Sequence, residues 1–244
     1  NNIQYNLWTG NFSNASNIII DATHNWWGSN NYSQIKQRIY DNEDNPNSPV
    51  VDISPYTKNE TIGTTLQAGW NLISFPIYPL NSAPDAVFDE LTNPDRLSNN
   101  LYRWDGLTQS LITYPSAVPP FGNISCGVGY KIYLTDATTI NCDGFANDID
   151  FSLDLPMAGK YFFGSSFNYD VQWSGCFIKN LTTNESKTVS DAATSGWINS
   201  TLEGWDANTQ QLLYVRLYGP DDHMLHPWSG YWLTSDIANL QLII

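Results

Sequence analysis

Basic residues, histidine, cysteine and methionine are all scarce in this chain. Its 244 residues include 10 Lys and Arg against 24 Asp and Glu, which gives a net charge of −14. No basic stripe is present to displace counterions from phosphates, which argues against nucleic acid and against an anionic membrane surface. No apolar run is long enough to span a bilayer, and no signal peptide opens the sequence. We therefore expect no transmembrane segment, and Asn1 is interpreted as an internal start left by processing or trimming.

Recognisable catalytic motifs are also missing. The sequence contains no GxSxG, HExxH, P-loop or GxGxxG pattern, and no spacing suggests a Ser-His-Asp triad. The pair His223-x-x-His226 follows Asp221-Asp222, which suits either a metal site or a solvated loop, and the nearby Gly and Pro residues favour the loop. We expect a non-catalytic segment without an organic cofactor, so any catalysis would lie upstream of Asn1.

The polarity of the chain comes mainly from Asn, Ser and Thr, and aromatic residues make up 14% of it, with ten Trp. This composition favours sheets and turns over helices. The aromatic residues suit a β-sheet core, or alternatively exposed rings that stack on sugars. Eight N-glycosylation sequons begin at Asn11, Asn14, Asn31, Asn59, Asn123, Asn180, Asn184 and Asn199. They predict glycosylated surface loops in a secreted protein, or simply Asn- and Ser-rich loops.

Three cysteines occur, and two of them flank one predicted hairpin. Cys126 and Cys142 are both missing at the matching positions of a second sequence copy described below, where Pro227 and Ile243 stand. Because the two residues are present together and missing together, we predict a Cys126–Cys142 disulfide. Cys176 would then be a free or buried thiol.

Two acidic loops are candidates for structural calcium, with plain solvated loops as the alternative. Asp41, Glu43, Asn45 and Asp52 occupy positions 1, 3, 5 and 12 of an EF-hand-like count, but Pro46 stands where that loop needs Gly. The second cluster contains Asp143, Asp148, Asp150 and Asp154.

One pattern occurs twice in the last two-thirds of the chain. The motif Trp104-Asp105-x-x-Thr108-Gln109 recurs 101 residues later as Trp205-Asp206-x-x-Thr209-Gln210, and Gly129-Tyr130 recurs at the same offset as Gly230-Tyr231. The Asp carboxylates are placed to accept turn N–H groups, the Thr-Gln pair closes a hairpin, and the Gly-Tyr segments alternate as strands. A duplicated β module points to an architectural or binding role before catalysis.

The first 56 residues have a different pattern. A short apolar strand ends at Ala22, Asn25-Trp26-Trp27-Gly28 follows, a weakly helical stretch covers 32–40, and the strand Val50–Ile53 precedes Pro55. This order resembles the last coil of secreted right-handed parallel β-helix proteins. The resemblance implies that large aromatic residues and a short helix cover the open apolar end of a solenoid.

The segment Gly69-Trp70-Asn71-Leu72-Ile73-Ser74-Phe75-Pro76 resembles the opening of small β modules in secreted archaeal and bacterial surface proteins. In the second copy the opening is degenerate, Gly159-Lys160-Tyr161-Phe162, and lies 90 residues after the first. The mismatch between the two offsets predicts an 11-residue insertion in the second copy, which we place at Lys179–Ser190. A short helix is expected over Ala83–Leu91, capped by Ser82 or Asn81.

The sequence thus predicts a mainly β protein, with one or more terminal parallel β-helix coils followed by two tandem antiparallel β-sandwich or barrel modules. The predicted boundaries are 1–56 for the coil and cap, 57–65 for a polar linker, 66–150 for the first module and 151–244 for the second. The favoured function is an extracellular or cell-surface structural glycoprotein or adhesin that self-associates into a surface layer, sheath or filament. The alternative is a carbohydrate-binding accessory of a β-helix polysaccharide-active enzyme.

Overall fold

The computed structural model describes residues 7–8, 18–54, 56, 58–91, 97–147, 149–220 and 222–244. Strands account for 46% and helices for 8%, so the mainly β class predicted from the sequence is confirmed. The chain divides into two compact units, Asn1–Glu60 and Thr61–Ile244. The predictions made for Asn11, Asn14, Asp148 and Asp221 lie outside the described residues.

Strands dominate both units. Within the described residues they are β1 (Leu7–Trp8), β2 (Ile19–Asp21), β3 (Ile39–Tyr40), β4 (Val50–Asp52), β5 (Asn59–Leu66), β6 (Gly69–Ser74), β7 (Ile77–Pro79), β8 (Leu101–Asp105), β9 (Ser110–Thr113), β10 (Gly129–Leu134), β11 (Thr138–Ala146), β12 (Ser152–Leu155), β13 (Gly159–Gly164), β14 (Val171–Gln172), β15 (Phe177–Asn180), β16 (Glu185–Thr188), β17 (Leu202–Asp206), β18 (Gln211–Val215), β19 (Met224–Leu225), β20 (Gly230–Ser235) and β21 (Leu240–Ile243). The helices are α1 (Tyr32–Lys36), α2 (Pro84–Val87) and α3 (Val189–Thr194), and a 3-10 turn covers Trp173–Gly175.

The first unit is held by two short parallel strand pairs and a small core. Strand β1 pairs with β3, and β2 pairs with β4. The core contains Ala22, Trp27, Ile35, Ile39, Val51 and Ile53. Trp27 is only 1% exposed, and Arg38 Nη1 donates to its carbonyl at 2.9 Å. Trp27, the second Trp of the Asn-Trp-Trp-Gly motif, is therefore the centre of this core. It stabilises the first unit mainly through the burial of its large ring.

The polar stretch 57–65 was predicted as a linker, and that prediction is wrong for most of it. Strand β5 begins at Asn59 and continues to Leu66, in one sheet with β11 and β7. Its side chains alternate between exposed and partly buried positions, and Leu66 is buried in a core. Four Thr or Ile residues in this segment favour strand because their β-branched side chains suit a pleated surface.

The second unit contains two hydrophobic cores, and each is covered by a four-stranded antiparallel sheet. In the first module, residues 61–147, the sheet has the order β6-β10-β8-β9. In the second module, residues 149–244, it has the order β13-β20-β17-β18. Tyr130 and Ile132 of β10 are buried in one core, and Tyr231 and Leu233 of β20 are buried in the other. The two orders correspond strand for strand, as the duplicated sequence predicts.

A second sheet completes each module. Its order is β5-β11-β7 in the first and β12-β21-β15-β16 in the second. Strands β7 and β15 correspond, because each pairs antiparallel with the last strand of its module. Two residues separate β6 from β7, whereas residues 165–176 separate β13 from β15. The predicted place of the insertion, Lys179–Ser190, is therefore wrong, because nearly all of the extra chain precedes β15, and the stretch from β15 to β17 is as long as that from β7 to β8 to within one residue.

The helices are shorter than predicted, or were not predicted. Helix α1 ends at Lys36 and the chain then enters β3, where Ile39 is buried. Helix α2 covers only Pro84–Val87, and its N-cap is Ala83, which has no side-chain cap. Helix α3 was missed altogether. Its N-cap Thr188 accepts a hydrogen bond from the amide of Asp191 at 3.2 Å, an ordinary helix-start signal.

Candidate functional site

The repeated Trp-Asp-x-x-Thr-Gln motif forms the same hairpin turn in both modules. Asp105 Oδ1 accepts the amide of Leu107 at 2.9 Å, and Asp206 Oδ1 accepts the amide of Asn208 at 2.9 Å. The turn role predicted for the two carboxylates is confirmed. The backbone hydrogen bond from Leu107 lowers the pKa of Asp105, and the hydroxyl of Thr209 lowers the pKa of Asp206. Both carboxylates therefore keep their charge, and with it these turn hydrogen bonds, to a lower pH than an ordinary Asp.

The Gln that ends the second hairpin binds the first module. Gln210 Oε1 accepts the amide of Trp70 at 2.8 Å, and Gln210 Nε2 donates to the Trp70 carbonyl at 3.0 Å. The same Nε2 donates to Ala207 O within its own turn at 2.7 Å. Trp205 Nε1 also donates to the Trp70 carbonyl, at 2.9 Å. The hairpin of the second module therefore holds the first residues of β6.

The first hairpin makes the reciprocal contact. Gln109 Oε1 accepts the amide of Lys160 at 2.7 Å, and Gln109 Nε2 donates to the Lys160 carbonyl at 3.2 Å and to Gly106 O at 2.7 Å. Trp104 Nε1 donates to the same Lys160 carbonyl at 2.6 Å. Lys160 is the sequence counterpart of Trp70. We call these two matched sets of contacts the Gln clamps.

Two glycines make the Gln clamps sterically possible. Gly69 has φ +95°, and a Cβ added there would lie 2.5 Å from Gln210 Oε1. Gly159 has φ +150°, and its added Cβ would lie 2.3 Å from Gln109 Oε1. A side chain at either position would displace the amide that binds the next residue. The Ala-Gly pair shared by both module openings is thus part of the contact between modules.

Backbone hydrogen bonds repeat the same two-fold pattern at the other end of these strands. The amide of Ser74 donates to the carbonyl of Trp228 at 3.2 Å, and the amide of Gly164 donates to the carbonyl of Gly127 at 2.9 Å. Trp228 and Gly127 both have positive φ, 64° and 71°. Each of these hydrogen bonds has a partner displaced by one of the two sequence offsets, so the main-chain contacts of the two modules form an internal pseudo-dimer with an isologous interface.

The aromatic residues between the modules break this symmetry. On the second sheet the ring of Phe162 stacks on Trp232 at 4.5 Å, and Trp104 of the first module meets Trp232 edge-on at 5.0 Å. At the position matching Trp232 the first sheet has Lys131, whose Nζ lies 3.8 Å from the centroid of Trp70. Burial lowers the pKa of Lys131. Several of the aromatic rings that the composition suggested as surfaces for stacking on sugars therefore lie between the modules and join them instead.

The two histidines of the candidate metal motif are directed to different partners. His226 lies between two carboxylates, with Nδ1 at 2.8 Å from Asp170 Oδ1 and Nε2 at 2.7 Å from Asp222 Oδ2. His223 Nδ1 is 2.5 Å from Arg216 O, and its Nε2 is 3.1 Å from Gly219 O. Both histidines therefore serve to hold the segment between β18 and β19.

Two opposing effects act on the pKa of His226. Burial lowers it, but the hydrogen bonds and charges of Asp170 and Asp222 outweigh burial and raise the pKa above its ordinary value. Asp170 lies 56 residues before His226, in the extra chain between β13 and β15, and sequence spacing gave no signal for this pairing.

A lysine pairs with two carboxylates of the first acidic loop. Lys36 Nζ binds Asp41 Oδ2 at 2.8 Å and Glu43 Oε2 at 3.3 Å. Asp52 lies on β4 and its Oδ1 accepts the amide of Ser54 at 3.1 Å. In the second cluster the hydroxyl of Thr61 donates to Asp143. No group of three or more His, Cys, Asp or Glu side chains that could hold a metal is found among the described residues, so calcium stays a prediction from the sequence.

The cysteines do not form the predicted disulfide in this structure. Cys126, Cys142 and Cys176 are all buried free thiols. Burial raises the pKa of Cys126 to about 12, with a smaller contribution from the charge of Cys142, and burial raises the pKa of Cys142 to about 11. Thiolate formation is strongly disfavoured at both, and the thiolate is the form that reacts.

Of the described sequon asparagines, four are exposed and two are half-buried. Asn31, Asn123, Asn184 and Asn199 are exposed, whereas Asn59 and Asn180 are half-buried at strand ends. The amide of Asn59 is bound to Asn30 Oδ1 at 2.9 Å, and Asn180 Oδ1 accepts the amide of Thr182 at 2.9 Å. The four exposed positions are the better glycan acceptors on steric grounds.

No protein-family model, curated protein or solved structure matches the chain. None of the helices in the described residues has the length and apolar character needed to cross a membrane.

Proposed function

We propose that this chain is a non-catalytic structural segment of an extracellular or cell-surface glycoprotein or adhesin. Its two β modules would act as one stiff unit within a surface layer, sheath or filament. The observation that carries this proposal is the use of the repeated motif. Trp104, Gln109, Trp205 and Gln210 all bind backbone atoms of the opposite module, so the residues that both copies keep join the modules to each other.

The surface of the chain supports the same function. A net charge of −14 keeps such a segment soluble and disfavours non-specific association with nucleic acid. The exposed asparagines Asn31, Asn123, Asn184 and Asn199 stand in sequons on both units, as expected for a glycosylated surface. The three cysteines are buried, which suits an extracellular chain that exposes no reactive thiol in its described residues.

The finer architecture belongs to the same proposal. The two parallel strand pairs of the first unit, with Trp27 as the central core residue, are what the last coil of a parallel β-helix would contribute. Each later module, with two antiparallel sheets around one core, is best described as a small β-sandwich.

Electron microscopy of purified, glycosylated protein at high concentration, with and without calcium, tests this function. The proposal predicts ordered layers or filaments whose repeat contains the two-module unit. A strictly monomeric protein under all these conditions would remove the assembly function. If assembly requires calcium, the acidic loops become candidate metal sites again. If assembly does not require calcium, Lys36 remains the counter-ion of Asp41.

A further inference from the structure

Two outer strands occupy matching places in the two modules. Strand β9 ends the β6-β10-β8-β9 sheet of the first module, and β18 ends the β13-β20-β17-β18 sheet of the second. Each pairs with one neighbour, β8 or β17, and the part of the chain that the structure describes places no second strand beside either. An isolated bridge joins Asp222 to Val215, the last residue of β18. The open edges are therefore Ser110–Thr113 and residues 211–214, which correspond at the 101-residue offset.

These two edges lack the features that keep the other outer strands from pairing with another chain. Charged residues, proline or a covering group protect the edges of natural sheets. In the described sheets of three or more strands, the other outer strands all have such a feature: Glu60 in β5, Pro79 in β7, Asp154 in β12, Glu185 and Lys187 in β16, and a Gln clamp on β6 and on β13. Strands β9 and β18 contain neither a charged residue nor proline. An edge of this kind is a template for another strand.

An exposed leucine stands at the same position of both edges. Leu111 is 44% exposed and Leu212 is 60% exposed, and each follows the Gln of the repeated motif by two residues. Each leucine lies directly opposite the Trp of its own hairpin, Trp104 or Trp205, so the two side chains share a face of the sheet. Those tryptophans bind the opposite module. The leucines therefore continue the surface of the contact between modules to the outer strand of each sheet.

We propose that β9 of one copy of this chain pairs antiparallel with β18 of a second copy. The inference rests on the proposed assembly function and names the surface that joins the copies. A second copy fits because it presents an uncharged strand, so two chains of net charge −14 place no like charges opposite each other on the paired strands. Since β9 and β18 hold equivalent places in their sheets, antiparallel pairing brings their matching faces to the same side. Leu111 and Thr113 of one copy then lie on the same face as Leu212 of the next.

A β9–β18 contact is head-to-tail, because each copy uses a different edge toward each of its two neighbours. Such contacts repeat from copy to copy and form a ring or an open filament. Pairing of two β18 edges would instead bring two Arg216 guanidinium groups to one short interface, since Arg216 lies over the ring of Tyr214 at 5.1 Å. Strand β9 is only 4 residues long, so each contact is small and assembly should depend on protein concentration.

Sedimentation velocity of the purified, glycosylated chain over a concentration series, with and without calcium, tests the proposal. Leu111→Lys blocks β9 and Leu212→Lys blocks β18, because an unpaired ammonium on an edge strand opposes pairing. Each substitution also brings the net charge nearer to zero, so a loss of association cannot come from stronger general repulsion.

The unaltered chain should form assemblies larger than a dimer. Each variant alone should stay monomeric at concentrations about tenfold above those at which the unaltered chain associates. An equal mixture of the two variants should form dimers and nothing larger, because one variant keeps β18 and the other keeps β9.

Leu181→Lys is the matched control, since it replaces a 46% exposed leucine in the turn between β15 and β16. It should assemble as the unaltered chain does, and melting temperatures check that every variant is folded. Dimers of one variant alone, a monomeric mixture, or equal loss of assembly in the control would overturn the β9–β18 contact. Full assembly of both edge variants would overturn it too, but would leave the assembly function standing. An unaltered chain that stays monomeric would overturn both.

Discussion

Gln210 holds the main chain of Trp70 at two points, with Oε1 2.8 Å from the Trp70 amide nitrogen and Nε2 3.0 Å from its carbonyl oxygen. The two residues are 140 positions apart, and Gln109 makes the equivalent pair of bonds at Lys160. A side-chain amide has a carbonyl acceptor and an NH₂ donor. It can therefore make the two hydrogen bonds to the N–H and C=O of one residue that a neighbouring strand would otherwise make. This is how each hairpin caps an edge strand of the other module.

Replacing either clamp glutamine should destabilise the second unit. Gln210→Ala removes the bonds to Trp70 and to Ala207 O, and we expect a loss of about 1–3 kcal/mol in the free energy of unfolding. Gln109→Ala should cost a similar amount at Lys160. Urea unfolding measures both. Gln211→Ala, one residue further on an exposed position of β18, is the control and should change stability by less than about 0.5 kcal/mol.

A methyl group at Gly69 should act through Gln210. Gly69→Ala adds a methyl group 2.5 Å from Gln210 Oε1 at a residue with a left-handed backbone. It should lower the free energy of unfolding by about 3 kcal/mol in total, which is more than the backbone strain alone would cost. Gly122→Ala separates the two effects, because Gly122 also has a positive φ, +78°, but open space at its Cβ. It should cost about 1–2 kcal/mol. Combining Gly69→Ala with Gln210→Ala should cost less than the two single losses together, and strict additivity would mean that the methyl group does not act on the clamp.

The His226 cluster should make stability depend on pH in the neutral range. Its pKa is raised in the folded protein, so the stabilisation is fully present below the unfolded-state value of about 6.5 and is lost as pH rises through the folded value. Because His226 is 42% exposed, solvent screening keeps the contribution below about 1 kcal/mol. Denaturation midpoints from pH 5.5 to 8.5 measure it. His226→Gln should flatten the profile, while His24→Gln, which lies in the first unit and outside this cluster, should leave it unchanged.

The buried thiols should be unreactive in the folded protein. A chromogenic thiol reagent at pH 8 should label none of Cys126, Cys142 and Cys176 before unfolding, and all three once denaturant is added without a reductant. A single reactive thiol in denaturant would show that Cys126 and Cys142 are oxidised to the disulfide that the sequence suggested.

Local signals in the sequence predicted the strands and turns well. Asp105 and Asp206 were identified as turn residues because an Asx turn involves only the next two or three amides. Strand β5 was missed because its polarity resembled a linker, although Ile62 and Thr64 alternate as a half-buried strand requires. Local pattern and composition were thus enough for the β class and the repeat.

The clamps could not be predicted, because their partners are distant in sequence and bind through backbone atoms. Trp70 and Lys160 occupy the same structural position with unrelated side chains, since Gln210 and Gln109 contact only their N–H and C=O groups. The one usable signal was that Gly69 and Gly159 recur together with the two glutamines. A glycine kept in both copies next to a variable residue indicates close approach by another part of the chain.

Amide hydrogen exchange at Trp70 and Lys160, followed by NMR, is the most direct test of the reciprocal clamp. Both amides donate to a glutamine side chain of the other module, so both should be protected in the unaltered chain. Gln210→Ala should accelerate exchange at Trp70 and leave Lys160 protected, and Gln109→Ala should do the opposite. Exchange at both positions as fast as in an exposed loop, or rates that neither variant changes, would contradict the account.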